Sequence, residues 1–337
     1  MSDFDTSVQN QQINWRSKHI ACQDQGTKNW VKGSFMRGLS KTFISTLKSG
    51  FLQPVLNLVI LDSTLCLEIR QKCAEIYYRG GVILKIDERG DSFNVSFDRK
   101  YLVEDSTRVP KELPSRLAGS DDVKKWIDAM PFLKHEMDRW FGEHSKSERE
   151  FQQLMLRENN FGKSAKSTDY FICDIEYQSP NGRFDLIAVH WPSSPTGRKN
   201  DKNLGLAFIE MKYLDDALTG KAGLKEHIKD ANDFLENQDN LKNIQKEMKV
   251  VFNQKQDLGL INNKKAIESF NDNKPEYILA LVNHDPAAKN LRKELNNLPP
   301  CPYAELKFAV SNFMGYGLYD QNIYILDSFL MRFEDQI

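Results

Sequence analysis

Asp185, Glu210 and Lys212 are charged residues in apolar, strand-like surroundings, where an uncompensated charge is costly. Asp185 follows Phe184 and precedes Leu186-Ile187-Ala188-Val189; Glu210-Met211-Lys212 follows Ala207-Phe208-Ile209. Alternation along a strand puts Phe208, Glu210 and Lys212 on one face and Ala207, Ile209 and Met211 on the other. If the two segments pair, Asp185 comes within reach of Glu210. Two carboxylates that close raise each other's pKa unless a cation lies between them. Magnesium meets that need, because it takes oxygen ligands, keeps several waters and suits phosphate substrates; manganese is expected to substitute. A metal-bound water oriented by Lys212 could attack a phosphodiester, and Lys212 could also offset charge building on the phosphate. The carbonyl of Met211, between the two side chains, is a further candidate ligand.

Positioning these groups requires a sheet. Residues 170–177, 183–191 and 204–213 have strand character, with Ser179-Pro180-Asn181-Gly182 as the turn between the first two and residues 192–203 as a polar loop. A helix precedes them from Ser147, with Phe151, Leu154, Met155 and Glu158 at helical spacing. Helices over 223–237 and 241–252 follow, then a buried-type strand over 277–282, a helix over 287–298, and strands over 306–310 and 322–326. Upstream, Phe35, Leu39, Phe43 and Leu47 predict a helix closing at Gly50. Four short strands between residues 65 and 97 predict an antiparallel meander ending near Val109-Pro110. Residues 121–160 predict helices, with Pro131 interrupting the first. The expected organisation is a flexible arm (1–30), a small α+β module (31–110), a helical connector (111–146) and a catalytic-type domain (147–337). The fold class is α/β: a mixed central sheet flanked by helices, preceded by a small, mostly β module.

The order helix, three strands, helix, strand, carrying Asp185 and Glu210-Met211-Lys212, resembles the core of the PD-(D/E)XK, or restriction-endonuclease-like, superfamily. The resemblance runs from about residue 148 to 282 and leaves the N-terminal module outside. It implies that Asp185 and Glu210 bind the metal, that Lys212 assists the nucleophilic water, and that the activity is phosphodiester hydrolysis, in DNA before RNA. Ser147-Glu148-Arg149-Glu150-Phe151 resembles the start of the first core helix in archaeal Holliday-junction resolvases. That points to Glu148 as a further catalytic carboxylate, with Glu150 competing for the role. The proline of the family name is replaced by Phe184. Arg183, Lys225 and His227 are candidate nucleic-acid contacts, and a double-strand cut would ask for a homodimer. The alternatives are a catalytically degenerate protein of this fold that binds nucleic acid or a protein partner, and an interaction protein whose N-terminal module docks a partner.

Composition narrows the field further. Lys and Arg number 46 against 47 Asp and Glu, a net charge of −1, which argues against a protein that coats nucleic acid but not against a local basic surface. Cys22, Cys66, Cys73, Cys173 and Cys301 are odd in number and widely spaced, which disfavours a disulfide scaffold or a structural zinc site and favours a reducing, cytoplasmic setting. The polar start lacks a secretion signal, and the apolar stretch 51–61 is too short to span a bilayer, so no membrane association is expected. Lys221, Lys225, Lys229, Lys242, Lys246 and Lys249 alternate with Glu226, Asp230, Asp233 and Glu247, the pattern of a solvated helix face. Tyr77-Tyr78-Arg79-Gly80-Gly81 could stack on bases, but its composition fits a hairpin better. Thr219-Gly220-Lys221-Ala222-Gly223 lacks the spacing of a phosphate loop.

Overall fold

The Ser40 hydroxyl accepts from the Phe43 amide at 3.0 Å and so starts α1 (Lys41–Ser49), which ends at Gly50. The computed structural model describes residues 36–102, 108–110, 112–220, 223–283, 289–311, 318 and 320–331. Leu39 lies ahead of α1 rather than in it, and its backbone N–H and C=O are both bonded by Gln254. Phe35 lies outside the described residues, as does the expected N-terminal arm. α2 (Gln53–Leu61) follows, with Pro54 in its first turn, where a missing N–H costs no helical bond. β1 (Leu65–Ile69), β2 (Cys73–Tyr78), β3 (Gly81–Arg89) and β4 (Ser92–Ser96) form the expected antiparallel meander. A fifth strand, β5 (Arg116–Leu117), pairs with β4, so this sheet runs past the boundary expected near Pro110.

The interruption expected at Pro131 does not occur. α3 (Ser120–Glu143) continues through it, because the buried stripe of Val123, Trp126, Met130, Leu133, Met137 and Phe141 runs its whole length. Burying those side chains outweighs the roughly 3 kcal/mol that an interior proline costs.

The second sheet and its helices follow in the order α4 (Ser147–Asn160), β6 (Tyr170–Ser179), β7 (Gly182–His190), β8 (Gly205–Tyr213), α5 (Leu224–Leu235), α6 (Gln238–Asp257), β9 (Glu276–Val282), α7 (Lys289–Leu295), β10 (Glu305–Ser311), β11 (Ile323–Ile325) and α8 (Leu326–Met331). Its strand order is β11-β10-β9-β8-β7-β6. β6, β7 and β8 are antiparallel neighbours, while β9 runs parallel to both β8 and β10. The chain is therefore a mixed α/β protein with two sheets.

The large sheet is covered on both faces. Ile187, Val189, Phe208, Leu279 and Leu281 pack with Ile228, Phe234 and Phe252 of α5 and α6. Leu186, Ala188, Ile209, Met211, Ile278 and Ala280 pack with Phe151, Met155 and Leu156 of α4. Residues of the small sheet enter both clusters, which ties the two sheets into shared cores. Gly182 is needed at the β6–β7 turn, because a Cβ there would stand 2.5 Å from the Phe234 ring.

At the end of the sheet where β9 begins, His190 bridges two acids, with Nδ1 3.0 Å from Glu276 and Nε2 3.1 Å from Asp320, while stacking on Tyr170. Burial pulls its pKa down, but hydrogen bonds to Asp320 and Glu276 prevail and hold it up at about 9. A histidine raised from 6.5 contributes stability that is full below pH 6.5 and lost as pH rises through 9. The melting-temperature advantage of wild type over His190→Gln is accordingly expected to shrink between those pH values in thermal scans. A constant difference would remove the ion-pair explanation.

Among the described residues no single helix is long and apolar enough to cross a membrane. The bent pair α1–α2 is apolar enough in combination, and Phe43, Leu47, Val55, Leu56 and Val59 on it are buried in the core. Cys66, Cys73, Cys173 and Cys301 are not joined to one another in disulfides.

Candidate functional site

The hydrogen-bonded ladder between β7 and β8 stops at Leu186–Ile209. The next pair by register is Asp185 and Glu210, and there the strands part. β7 also changes face at this point: Phe184 packs on Phe208 and Phe234, on the side that Ile187 and Val189 occupy, although strict alternation would turn it away. Beyond the opening, β8 pairs on its other side with β9, through Glu210–Leu279, Met211–Ala280 and Lys212–Leu281.

Parting leaves the Met211 N–H facing the gap, and the Asp185 carboxylate accepts it at 2.9 Å. A residue in an extended strand presents its N–H and C=O to the same side, so the Met211 carbonyl faces this gap too. Glu210 Oε1 accepts from Lys212 Nζ at 2.8 Å and lies 3.0 Å from His227 Nδ1, on the first turn of α5. Asp185, Glu210 and Lys212 are all buried, at 5, 3 and 2% exposed. The sequence-based constellation is thus brought together at one place.

Its electrostatics are those of crowded acids. Burial, then Glu210 and Glu176, raise the pKa of Asp185. Burial raises that of Glu210 while Lys212 pulls it down. Glu148, on the first turn of α4, is pushed up to about 7 by burial and then by Asp185. Glu150, the competing carboxylate, is instead held by Arg79 at 2.5 Å. Glu150 is thus engaged by the hairpin, while Glu148 senses the charge of Asp185.

The β2–β3 hairpin fixes that first turn. Gly80 has φ +73°, and a Cβ there would stand 2.3 Å from the Arg149 Cβ. The Gly80 N–H donates to Gln153 on the same helix, and Arg79 reaches both Glu150 and Asp138. Tyr77 is buried and Tyr78 donates to Asp138, so this turn anchors α4 rather than presenting rings for stacking.

The candidate nucleic-acid residues separate. Arg183 is 3.0 Å from Glu176, His227 contacts Glu210, and Lys225 pairs with Glu294 of α7, away from Asp185's partners.

Glu176 is the residue that sequence reasoning missed. The β6–β7 register runs through Ile175–Leu186 and Tyr177–Phe184, which places Glu176 opposite Asp185. Counting outward from the turn at Pro180-Asn181 gives the same answer, so the signal was present in the sequence. Its backbone is left-handed, φ +52°, and its buried Oε1 has no hydrogen-bond partner.

Asp185, Glu210 and the Met211 carbonyl are the oxygens able to face a cation in the gap. Among the described residues, no group of three or more His, Cys, Asp and Glu side chains is arranged to hold a metal ion. Comparison with protein-family models, with curated proteins and with solved structures gave no match.

Proposed function

We propose that this chain is a metal-dependent nuclease with a restriction-endonuclease-like core of the PD-(D/E)XK type, acting on DNA. The observation that carries the reading is the opening of the sheet at Asp185 and Glu210, where two buried carboxylates, a main-chain carbonyl and Lys212 converge. The element order supports it: α4, three antiparallel strands, α5 and α6, then β9 parallel to β8.

The residues fit a hard divalent ion, because the acids around the gap raise one another's pKa and all gain when a cation arrives. Asp185, Glu210 and the Met211 carbonyl would hold it, with water completing the shell. Magnesium would supply an acidified water and polarise the phosphate. Lys212, 2.8 Å from Glu210, would be placed to orient a water and to offset charge on the phosphate. Glu148, whose pKa burial and Asp185 raise to about 7, can accept a proton near neutral pH. His227 keeps the Glu210 carboxylate in place from α5.

A second reading is a protein of this fold that binds nucleic acid without cleaving it. What favours it is that Lys212 and His227 both engage one oxygen of Glu210, together with the lack of a three-side-chain metal group among the described residues. Calorimetric titration with manganese and magnesium separates the two. Wild type is expected to bind either ion and Asp185→Asn neither. No uptake by wild type would sink the catalytic reading.

A further inference from the structure

Beside the gap, Glu176 Oε2 is shared by two guanidinium groups, Arg149 from α4 at 2.9 Å and Arg183 from β7 at 3.0 Å. This arrangement is unusual in three respects. Its glutamate holds a left-handed backbone conformation that side chains rarely adopt. One of its oxygens is buried without a hydrogen-bond partner. Two cations face one anion, so the group carries a net positive charge next to acids that otherwise repel a phosphate.

The three residues come from separate elements, each held in place by the fold. Arg149 is set by the contact of Gly80 with its Cβ and backbone. Arg183 follows the β6–β7 turn, and Glu176 stands opposite Asp185 in the hairpin register. Arg183 is 59% exposed, so one guanidinium is presented to solvent while Arg149 is largely covered.

We infer that Arg149, Glu176 and Arg183 form a phosphate-binding subsite that takes a nucleic-acid backbone phosphate neighbouring the one attacked. A guanidinium fork matches two phosphate oxygens; Arg183 gives one N–H to Glu176, Arg149 is ion-paired with the same oxygen, and both carry further N–H groups. Glu176 keeps the two cations together before substrate arrives and competes with phosphate for them. The inference rests on the proposed function, since the subsite serves the cleft at Asp185, but it concerns binding and is tested without turnover.

The test is fluorescence anisotropy in EDTA, with a labelled duplex DNA, its single strand and the matching RNA, each titrated over a range of salt. Arg183→Ala is expected to weaken binding to the preferred polymer about tenfold and to reduce the salt slope by about one phosphate contact. Glu176→Gln keeps the shape and removes the competing charge, so severalfold tighter binding at low salt is expected. A purely structural ion pair predicts the reverse for Glu176→Gln: no gain in binding and a lower melting temperature. That outcome, or an unchanged affinity and salt slope for Arg183→Ala, overturns the subsite, as does a wild type that binds none of the three polymers. Arg183-dependent binding without metal-dependent cutting would leave the subsite standing and remove the nuclease.

Discussion

Lys255→Met is expected to destabilise the protein by about 3–5 kcal/mol, the range found when one partner of a buried ion pair is removed. Lys255, on α6, donates to Glu68 of β1 at 2.6 Å, and both side chains are buried, at 1 and 0% exposed. Glu68 also accepts from the Ile175 N–H on β6, and Arg70 and Arg37 close the network on Asp174. One cluster of charges thus joins the small sheet, α6 and the large sheet. Burial raises the Glu68 pKa to about 7 even though Lys255 pulls it down, so without the lysine the carboxylate has to fold protonated. An acid raised in this way is least costly below its ordinary value of 4.5, and its cost grows as pH rises through 7. The deficit of Lys255→Met should therefore widen above pH 7 in urea denaturation, where the wild-type carboxylate ionises beside its lysine and the variant's does not. Adding Glu68→Gln should restore most of it, because no charge is then left unpaired. A loss below 1 kcal/mol, or a deficit independent of pH, would mean that the pair does not act as described.

Asp185→Asn is expected to raise the melting temperature of the metal-free protein while abolishing catalysis. Asp185 is buried, and burial and then Glu210 raise its pKa well above 3.8. Stability from such a group is complete below pH 3.8 and is lost as pH rises through the higher folded value, at roughly 1.4 kcal/mol per pH unit within that window. Asparagine takes no proton on folding, and its carbonyl oxygen can still accept from the Met211 N–H. The two proteins should melt together near pH 4, and the variant should melt higher by several degrees at pH 7, since about 1 kcal/mol corresponds to roughly 2–4 °C in a domain of moderate size. Saturating magnesium should narrow or invert that difference by stabilising wild type alone. A variant that melts lower than wild type at pH 7 without metal would show that the carboxylate is structural.

The strands of the site were legible because Asp185 and Glu210-Met211-Lys212 interrupt runs too apolar to carry charge without cause, and the hairpin turn at 179–182 set their register. What the sequence concealed was long-range. Nothing near Gly80 indicates that it must touch Arg149, 69 positions later, so the anchoring of the first turn of α4 by the small sheet is not legible locally. The pairing of Glu150 with Arg79 of the same hairpin was equally invisible locally. β5 is too short to register as a strand and exists because β4 offers it an edge. Pro131 misled because local backbone chemistry gives a break, whereas tertiary burial along α3 overrides it. Glu176 belongs to no motif of its own, although the turn places it directly across from Asp185.

The most direct measurement of the central claim is cleavage of plasmid, linear, single-stranded and branched DNA and of RNA, with magnesium, manganese or EDTA, by wild type and Lys212→Ala in parallel. Lys212 is buried against Glu210, so the variant is first shown to be folded by circular dichroism. Cutting that needs the metal and falls at least about a hundredfold in the folded variant is the result the account predicts, in keeping with the loss of a transition-state charge partner. No cutting of any substrate by wild type, or equal cutting by the variant, would contradict it.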